Sequence, residues 1–212
     1  MAENLVSIVH AIEKLKNKDS KFDESIDVAI HLGISESIKG TCDLPNSYSD
    51  DIKLIIFTAN LNDQDIVKNN KFLIGDEELI ASIKSKKSIV SDYKYSIASP
   101  DFMPKISKIA KILGPRGLMP DPKFGLVTND ISEIVNNILN GKIFFKSNKN
   151  KLIHMKIGKQ SFAVDQLKDN FITLFDSVKQ LKPSNVSNSN YIESIAITST
   201  MGPGLFIDFK SL

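Results

Sequence analysis

Cysteine occurs once in these 212 residues, as Cys42, which excludes an internal disulfide and any chemistry that needs a pair of thiols. Histidine occurs three times, as His10, His31 and His154, too scattered to offer metal-ligand spacing, so no metal is expected. No apolar run approaches the ~20 residues of a membrane span, and the amino terminus lacks the basic-then-apolar profile of a secretory signal. A membrane partner is therefore not expected. Arginine is scarce as well: of 27 basic side chains Arg116 is the single arginine and the rest are lysine. With frequent Ile and Asn, that skew fits an AT-rich genome and explains most lysines without invoking a ligand. It makes Arg116 informative, because lysine cannot reproduce the planar guanidinium fork.

The composition that remains, 42% hydrophobic and 25% charged, is that of a folded chain able to bury real cores. Its length exceeds a typical domain of ~100–150 residues and admits two small ones. A net charge of +2 is nearly silent about nucleic acid, so any such function must be read from where the charges lie.

Periodicity gives the organisation. Leu5, Val6, Ile8, Val9, Ile12 and Leu15 recur at helical spacing over residues 3–15. Residues 22–32 alternate, with Phe22, Ile26, Val28, Ile30 and Leu32 on one side and Asp23, Ser25, Asp27 and His31 on the other, as in a half-exposed strand. The polar stretch 44–51 marks a chain crossing, after which residues 52–57 are a continuous apolar run, the pattern of a strand covered on both faces. Alternating helices and strands come next through Ile66, 72–74, 79–83 and 95–98, and Asp101 is placed to cap a helix that runs to Leu113. Asn129 or Asp130 is placed to cap another that ends at Gly141. Residues 142–146 and 152–157 then read as a hairpin, 165–181 as a helix, and 191–200 and 205–209 as two closing strands. The expected fold class is thus an α+β terminal domain, a split βαβ-like antiparallel sheet built from residues 1–47 and 146–212. It is interrupted by an inserted α/β, Rossmann-like domain over residues 48–145.

Three motifs stand out. Residues 113–123 hold Gly114, Gly117, three prolines and Arg116 in a rigid loop. That loop is either a stiffened connector with a local carboxylate pair for Arg116 or an anion-facing surface. Gly114-Pro115-Arg116-Gly117 also fits the GxxG of KH RNA-binding modules, but Pro120 and Pro122 deny the second helix such a module starts at once. The second motif is Lys149, Lys151, His154, Lys156 and Lys159, where alternation sets His154 and Lys156 on one exposed face. That face is either solvated or a phosphate surface. The third, residues 198–204, puts Thr198, Ser199, Thr200, Met201, Gly202, Pro203 and Gly204 at a strand end. It reads as a tight turn, or as backbone and hydroxyls offered to phosphate and ribose.

Enzyme readings fare worse. Gly158-Lys159-Gln160-Ser161 lacks the glycine and the Ser/Thr of a phosphate loop, no GxGxxG succeeds a strand, and Cys42 has no nucleophile motif around it. No catalysis and no cofactor are expected, with a nucleotide-handling enzyme centred on Arg116 kept as the competing class.

Residues 113–123, continued by Gly125 and Val127-Thr128, resemble the signature segment of the bacterial-type large-subunit ribosomal protein L-one family. Further segments match in order: residues 21–28, 98–101, Ile153-His154 with Ile157-Gly158-Lys159, and 198–204. The resemblance spans about residues 20–208. It implies a structural constituent of the large ribosomal subunit, bound to stalk-region ribosomal RNA and to other ribosomal components. It further implies a mobile side stalk that assists release of deacylated tRNA from the exit site, and a repressor of its own operon through the mRNA leader. The ribosome would be that of a bacterial cytoplasm, with an organellar one as the alternative. Carried over residue by residue, the resemblance places Lys21, Phe22, Ser25 and Asp27 of the first strand on the RNA. It adds His154 and Gly158 of the hairpin and Thr200, Met201 and Gly202 of the last turn. Lys39, Lys149, Lys151, Lys156, Lys159 and Pro203 complete the expected RNA-binding set. Two departures are visible: the usual basic amino-terminal extension is missing, and the loop before Ile38-Lys39-Gly40 is shortened, with Lys39 where arginine is usual.

Overall fold

The computed structural model describes residues 5–16, 21–34, 36–48, 52–58, 72–75, 77–85, 87–184 and 186–209. The chain divides into two compact units, one of Met1–Tyr48 with Gly141–Leu212 and the other of Ser49–Asn140.

Alternation governs the first unit. In β1 (Ser25–Leu32), Ile26, Val28, Ile30 and Leu32 are buried, while Ser25, Asp27, Ala29 and His31 stay half-exposed. Successive strand side chains point to opposite faces, so one face of β1 is core and the other is bare. β1 is flanked on both sides by antiparallel partners, β7 (Leu152–Lys159) and β8 (Ile192–Ser199), and β9 (Leu205–Phe206) extends the sheet beyond β8. The buried face joins one core with α1 (Ile8–Lys16) and α4 (Val164–Gln180). In α1 the buried residues Ile8, Ala11, Ile12 and Leu15 recur at helical spacing; in α4 they are Leu167, Asn170, Phe171, Leu174, Phe175 and Val178. Burying each large aliphatic or aromatic side chain contributes about 1.5–3 kcal/mol. At the start of α4 the Ala163 N–H donates to the Gln166 side chain at 3.0 Å, half of a capping box. Near its end the Tyr191 hydroxyl donates to the Val178 carbonyl at 2.8 Å.

One buried polar group braces this core. Asn170, with no exposed surface, donates to the carbonyls of Ile157 (2.7 Å) and Asn46 (2.8 Å) and accepts from the Asn46 N–H (2.9 Å). All three polar bonds run to backbone, so the group is satisfied rather than costly.

The other unit is built on the opposite rule. All four residues of β3 (Leu54–Phe57) are buried, and β3 is the central strand of a parallel sheet between β4 (Phe72–Gly75) and β5 (Tyr95–Ala98). A parallel sheet is covered on both faces, which matches the uninterrupted apolar run. Its core includes Ile55, Phe57, Ile83 of α2 (Glu77–Ser85), Phe102, Ile106, Ile109, Leu113 and Leu118. After residues 114–125 the chain enters α3 (Ile131–Leu139).

Several expectations need correction. Residues 142–146 and 152–157 do not form a hairpin: β6 (Lys142–Lys146) pairs antiparallel with β2 (Lys39–Asp43), and β7 pairs with β1. That pairing also places 142–146 with the terminal segments, and the second compact unit closes at Asn140. Phe22 does not share the core side of β1, because the strand begins at Ser25 and Phe22 is 54% exposed. Asp101 is not the cap of a single helix. Pro100 occupies the first turn after an extended Ser99, its fixed φ suited to a helix start. The path to Arg116 then alternates between α and 3-10 segments, with Pro104 in the first α segment and Ser107 Oγ donating back to the Met103 carbonyl at 2.9 Å. Of the two caps expected for α3, the position falls to Asp130, whose side chain makes no capping bond. The helical stretch expected near Ile66 and the turn residues 49–51 lie outside the described residues.

Candidate nucleic-acid interface

The bare face of the four-stranded sheet can be assembled row by row from its register. Lys159 stands opposite Ser25, and Thr200 closes that row from the other side. Thr200 N–H donates to the Ser25 carbonyl and Ser25 N–H donates to Thr200 Oγ1, both at 3.1 Å. In the next row Asp27 lies between Lys156 and Thr198; in the next, Ala29 lies between His154 and Ala196. His31 comes after it between Leu152 and Ser194, and its Nδ1 is 2.9 Å from Glu193 Oε2. A register shift between Ile26 and Asp27 pairs Gly158 with Ile26 and Lys156 with Asp27, so the basic residues on either side of it share one face.

Most of these side chains are half-exposed, and His154 and Thr200 are exposed. Small residues, Ala29 and Ala196, lie at its centre, with hydroxyls on the β8 side and cations on β7. Lys156 Nζ also lies 4.9 Å from the Tyr48 ring centroid, a cation–π contact that leans the side chain toward that edge. Asp27 is thereby set between a cation and a hydroxyl.

At one end of this face the chain presents two large apolar groups to solvent, Phe22 at 54% and Met201 at 67% exposure. An exposed aromatic ring is a surface on which a nucleic-acid base can stack. The Met201 turn is tightly tied: Gly202 N–H donates to the Ser199 carbonyl at 3.0 Å, and a Cβ on Gly202 would lie 2.3 Å from Ser199 Oγ. Any larger residue there would have to displace the Ser199 hydroxyl. Pro203 is exposed beside it, and Lys21 is exposed just ahead of Phe22.

The remaining predicted residues fall elsewhere. Lys149 is exposed and Lys151 half-exposed on the turn before β7. Asn148 Oδ1 fixes that turn by accepting from the N–H groups of Asn150 and Leu152, both at 2.9 Å, and Lys151 adopts a left-handed φ of 63°. Lys39 is not part of the four-stranded sheet; it stands opposite Lys146 on the β2–β6 ladder. Gly158 is buried, and a Cβ there would meet Leu167 Cδ2 at 2.6 Å and Phe162 at 3.1 Å, so it faces α4 and serves close packing. Sequence reading puts Thr198 in the strand-end motif but leaves it out of the expected RNA-binding set, and it misses Glu24 altogether. Alternation across 192–199 carries the signal for Thr198; nothing in the sequence marks Glu24 as buried.

Among the described residues no group of three metal-ligating side chains occurs. Burial pushes the Cys42 thiol up from its ordinary value, which disfavours the thiolate a nucleophile needs. In the other unit, Arg116 Nη1 donates to Ser91 Oγ at 3.2 Å. Gly117 and Gly125 both adopt left-handed φ angles of 71°, and no regular helix starts after Gly117, so a KH-type helix–loop–helix is absent there. Among the described residues no helix is long and apolar enough to cross a membrane.

Comparison with known proteins adds the family. The family model described as "Ribosomal protein L1p/L10e family" matches residues 2–203. The chain is similar to proteins named "Large ribosomal subunit protein uL1": it is 45% identical to that of Neorickettsia sennetsu over 208 residues, 98% of this chain and 99% of the relative. It is 40% identical to that of Anaplasma marginale, over 90% of this chain and 88% of the relative. It is likewise 40% identical to that of Bdellovibrio bacteriovorus, over 89% and 81% respectively. A bare sheet face lined with lysine, hydroxyl and exposed apolar groups, ordered motifs through most of the length and relatives aligned nearly end to end converge: the chain belongs to the ribosomal protein L1p/L10e family.

Proposed function

We propose that the bare β7-β1-β8 face grips the folded stalk region of large-subunit ribosomal RNA. Membership in the family makes the chain a ribosomal protein and not an enzyme, and its bacterial relatives put it on a cytoplasmic ribosome. The observation that carries the RNA reading is the row structure of the sheet, which gathers Lys159, Lys156 and His154 beside Ser25, Asp27, Thr198 and Thr200. Cations on one strand position phosphates, while hydroxyls and the Asp27 carboxylate read 2′-hydroxyls and base edges. Phe22 and Met201 provide the apolar end of the grip.

In this reading the terminal unit is a discontinuous RNA-binding domain I and the Rossmann-like inserted unit is domain II of a mobile side stalk. Lys21, Lys149, Lys151 and Pro203 border the grip, Lys39 belongs to its margin, and Gly158 supports it from behind. The finer roles rest on the resemblance alone: release of deacylated tRNA from the exit site, and repression of the protein's own operon through its mRNA leader. A reporter fused to the native leader that ignores added protein removes the second of these.

The test is a salt series. The purified chain is expected to bind a stalk-region ribosomal RNA fragment with log affinity falling linearly in log salt, by roughly 0.7–0.9 per neutralised phosphate. It is also expected to co-sediment with large subunits and to be released at high salt. Saturable, salt-insensitive binding of a mononucleotide, lost in Arg116→Ala, would instead support the competing enzyme class.

A further inference from the structure

Among the described residues, Glu24 carries the only buried carboxyl group, at 2% exposure, and it sits directly behind the end of the sheet that presents Phe22 and Met201. Its backbone carbonyl accepts from the Gln160 N–H at 2.8 Å, and its Oε2 accepts from the Met201 N–H at 3.1 Å. One residue therefore fastens the exits of both β7 and β8 to the start of β1. Its neighbours repeat the pattern. Asp23 accepts from Ser161 N–H and Ser161 Oγ, each at 2.9 Å, and Ser25 is bonded to Thr200 on both backbone groups.

A carboxylate at this position has a cost on both sides. Burial penalises its charge, and a negative group near a phosphate-binding surface opposes the ligand. The Met201 bond offsets part of that cost. With its N–H drawn inward to Glu24, residue 201 directs its side chain out to solvent. The next residue, Gly202, whose Cα lies close against the Ser199 hydroxyl, folds back to donate its N–H to the Ser199 carbonyl. A charged acceptor makes one of the stronger hydrogen bonds available to a backbone N–H.

We propose that Glu24 is a positioning residue for the RNA grip: through the Met201 N–H it preorganises residues 200–202, without touching RNA itself. The proposal rests on the RNA reading of the bare face. It predicts that an oxygen acceptor, more than the charge, is what position 24 must supply.

The test compares Glu24→Ala and Glu24→Gln in the full chain, with the stalk RNA fragment as probe. Glu24→Ala is expected to bind roughly tenfold more weakly, the ordering of the turn having been lost. Its slope of log affinity against log salt should equal that of the parent, because no phosphate contact has been removed. Glu24→Gln keeps an acceptor of the same length and should bind within about threefold of the parent. A readout free of RNA accompanies these: the Met201 amide should exchange faster with solvent in Glu24→Ala and slowly in Glu24→Gln. Unchanged or tighter RNA binding in Glu24→Ala, or an unchanged Met201 exchange rate, overturns the proposal. Should Glu24→Ala fail to fold, Glu24→Asp, which withdraws the acceptor by one methylene, must bind more weakly than Glu24→Gln; equality overturns it. If the parent chain itself shows no salt-dependent binding, the RNA reading fails, while the exchange arm still tests the link from Glu24 to Met201.

Discussion

β1 and β3 are both central strands, yet every second residue of β1 is half-exposed while all four residues of β3 are buried. The first lies in an antiparallel sheet covered on one face, the second in a parallel sheet covered on both. A strand covered twice has no side chain left over for a large ligand. In the unit built on β3 the conspicuous chemistry is accordingly in a loop, the Gly114–Arg116 turn with Pro120 and Pro122 beyond it. A strand covered once presents a continuous row of side chains every two residues, and three such strands side by side present a surface wide enough for a nucleic-acid backbone. The quiet strand, not the conspicuous loop, is where the two units differ in what they can hold.

The strongest way to break that contrast is the double variant Thr200→Val with Met201→Ala. Valine keeps the shape of threonine but deletes the Oγ1 that accepts from Ser25 N–H, and alanine removes an exposed apolar side chain. Affinity for the stalk RNA fragment is expected to fall about 100-fold, since a few contacts carry most of a binding energy. Thermal stability should change little, both side chains being exposed. An affinity within twofold of the parent would remove the grip from this sheet end.

Much of that face is legible in the sequence, and the reasons are local. A period of two in 22–32 already separates Ser25, Asp27 and His31 from Ile26, Val28, Ile30 and Leu32, because burial on one face imposes that period whatever the partners. What cannot be read is whatever depends on pairing at a distance. β6 and β7 are consecutive and joined by a polar turn, the usual sign of a hairpin, yet β6 pairs with β2 about a hundred residues earlier, Lys146 against Lys39. Phe22 is misplaced when alternation is extended past the strand start at Ser25. Glu24 and Gly158 escape for a related reason. Burial of a carboxylate under a turn, or of a glycine under Leu167 and Phe162, arises from three-dimensional packing that neither residue's neighbours in sequence announce.

A smaller effect separates the support of the bare face from the face itself. Tyr191 is buried at the start of β8 and donates to the Val178 carbonyl, and burial pushes its hydroxyl up to about 12. Tyr191→Phe deletes that bond, leaving the Val178 carbonyl with the Leu181 N–H, and is expected to cost about 1 kcal/mol in chemical denaturation at neutral pH. The raised value sets the sign of the pH dependence. The tyrosine stays neutral in the folded chain while the unfolded chain ionises near its ordinary value of about 10. Its stabilising contribution is therefore complete below about pH 10 and lost as pH rises toward 12. The stability difference between parent and Tyr191→Phe should narrow across that window. RNA affinity at neutral pH should not move, because the hydroxyl lies on the core side of the sheet.

The smallest expected effect tests the other unit. Arg116 is the single arginine of the chain, in its densest motif, and it is exposed with Nη1 on the Ser91 hydroxyl. If the bare sheet face is the whole grip, Arg116→Ala should change affinity for the stalk RNA fragment by less than about twofold, the range of an ordinary surface substitution. The salt slope should stay the same as well, since loss of one phosphate contact would lower it by almost one. A tenfold weakening with a reduced slope would bring the loop into the interface, and the contrast between β1 and β3 would cease to separate a binding unit from a non-binding one. An unchanged slope with unchanged affinity leaves the guanidinium a local role, consistent with its bond to Ser91 and with the stiffness that Pro115, Pro120 and Pro122 lend the loop.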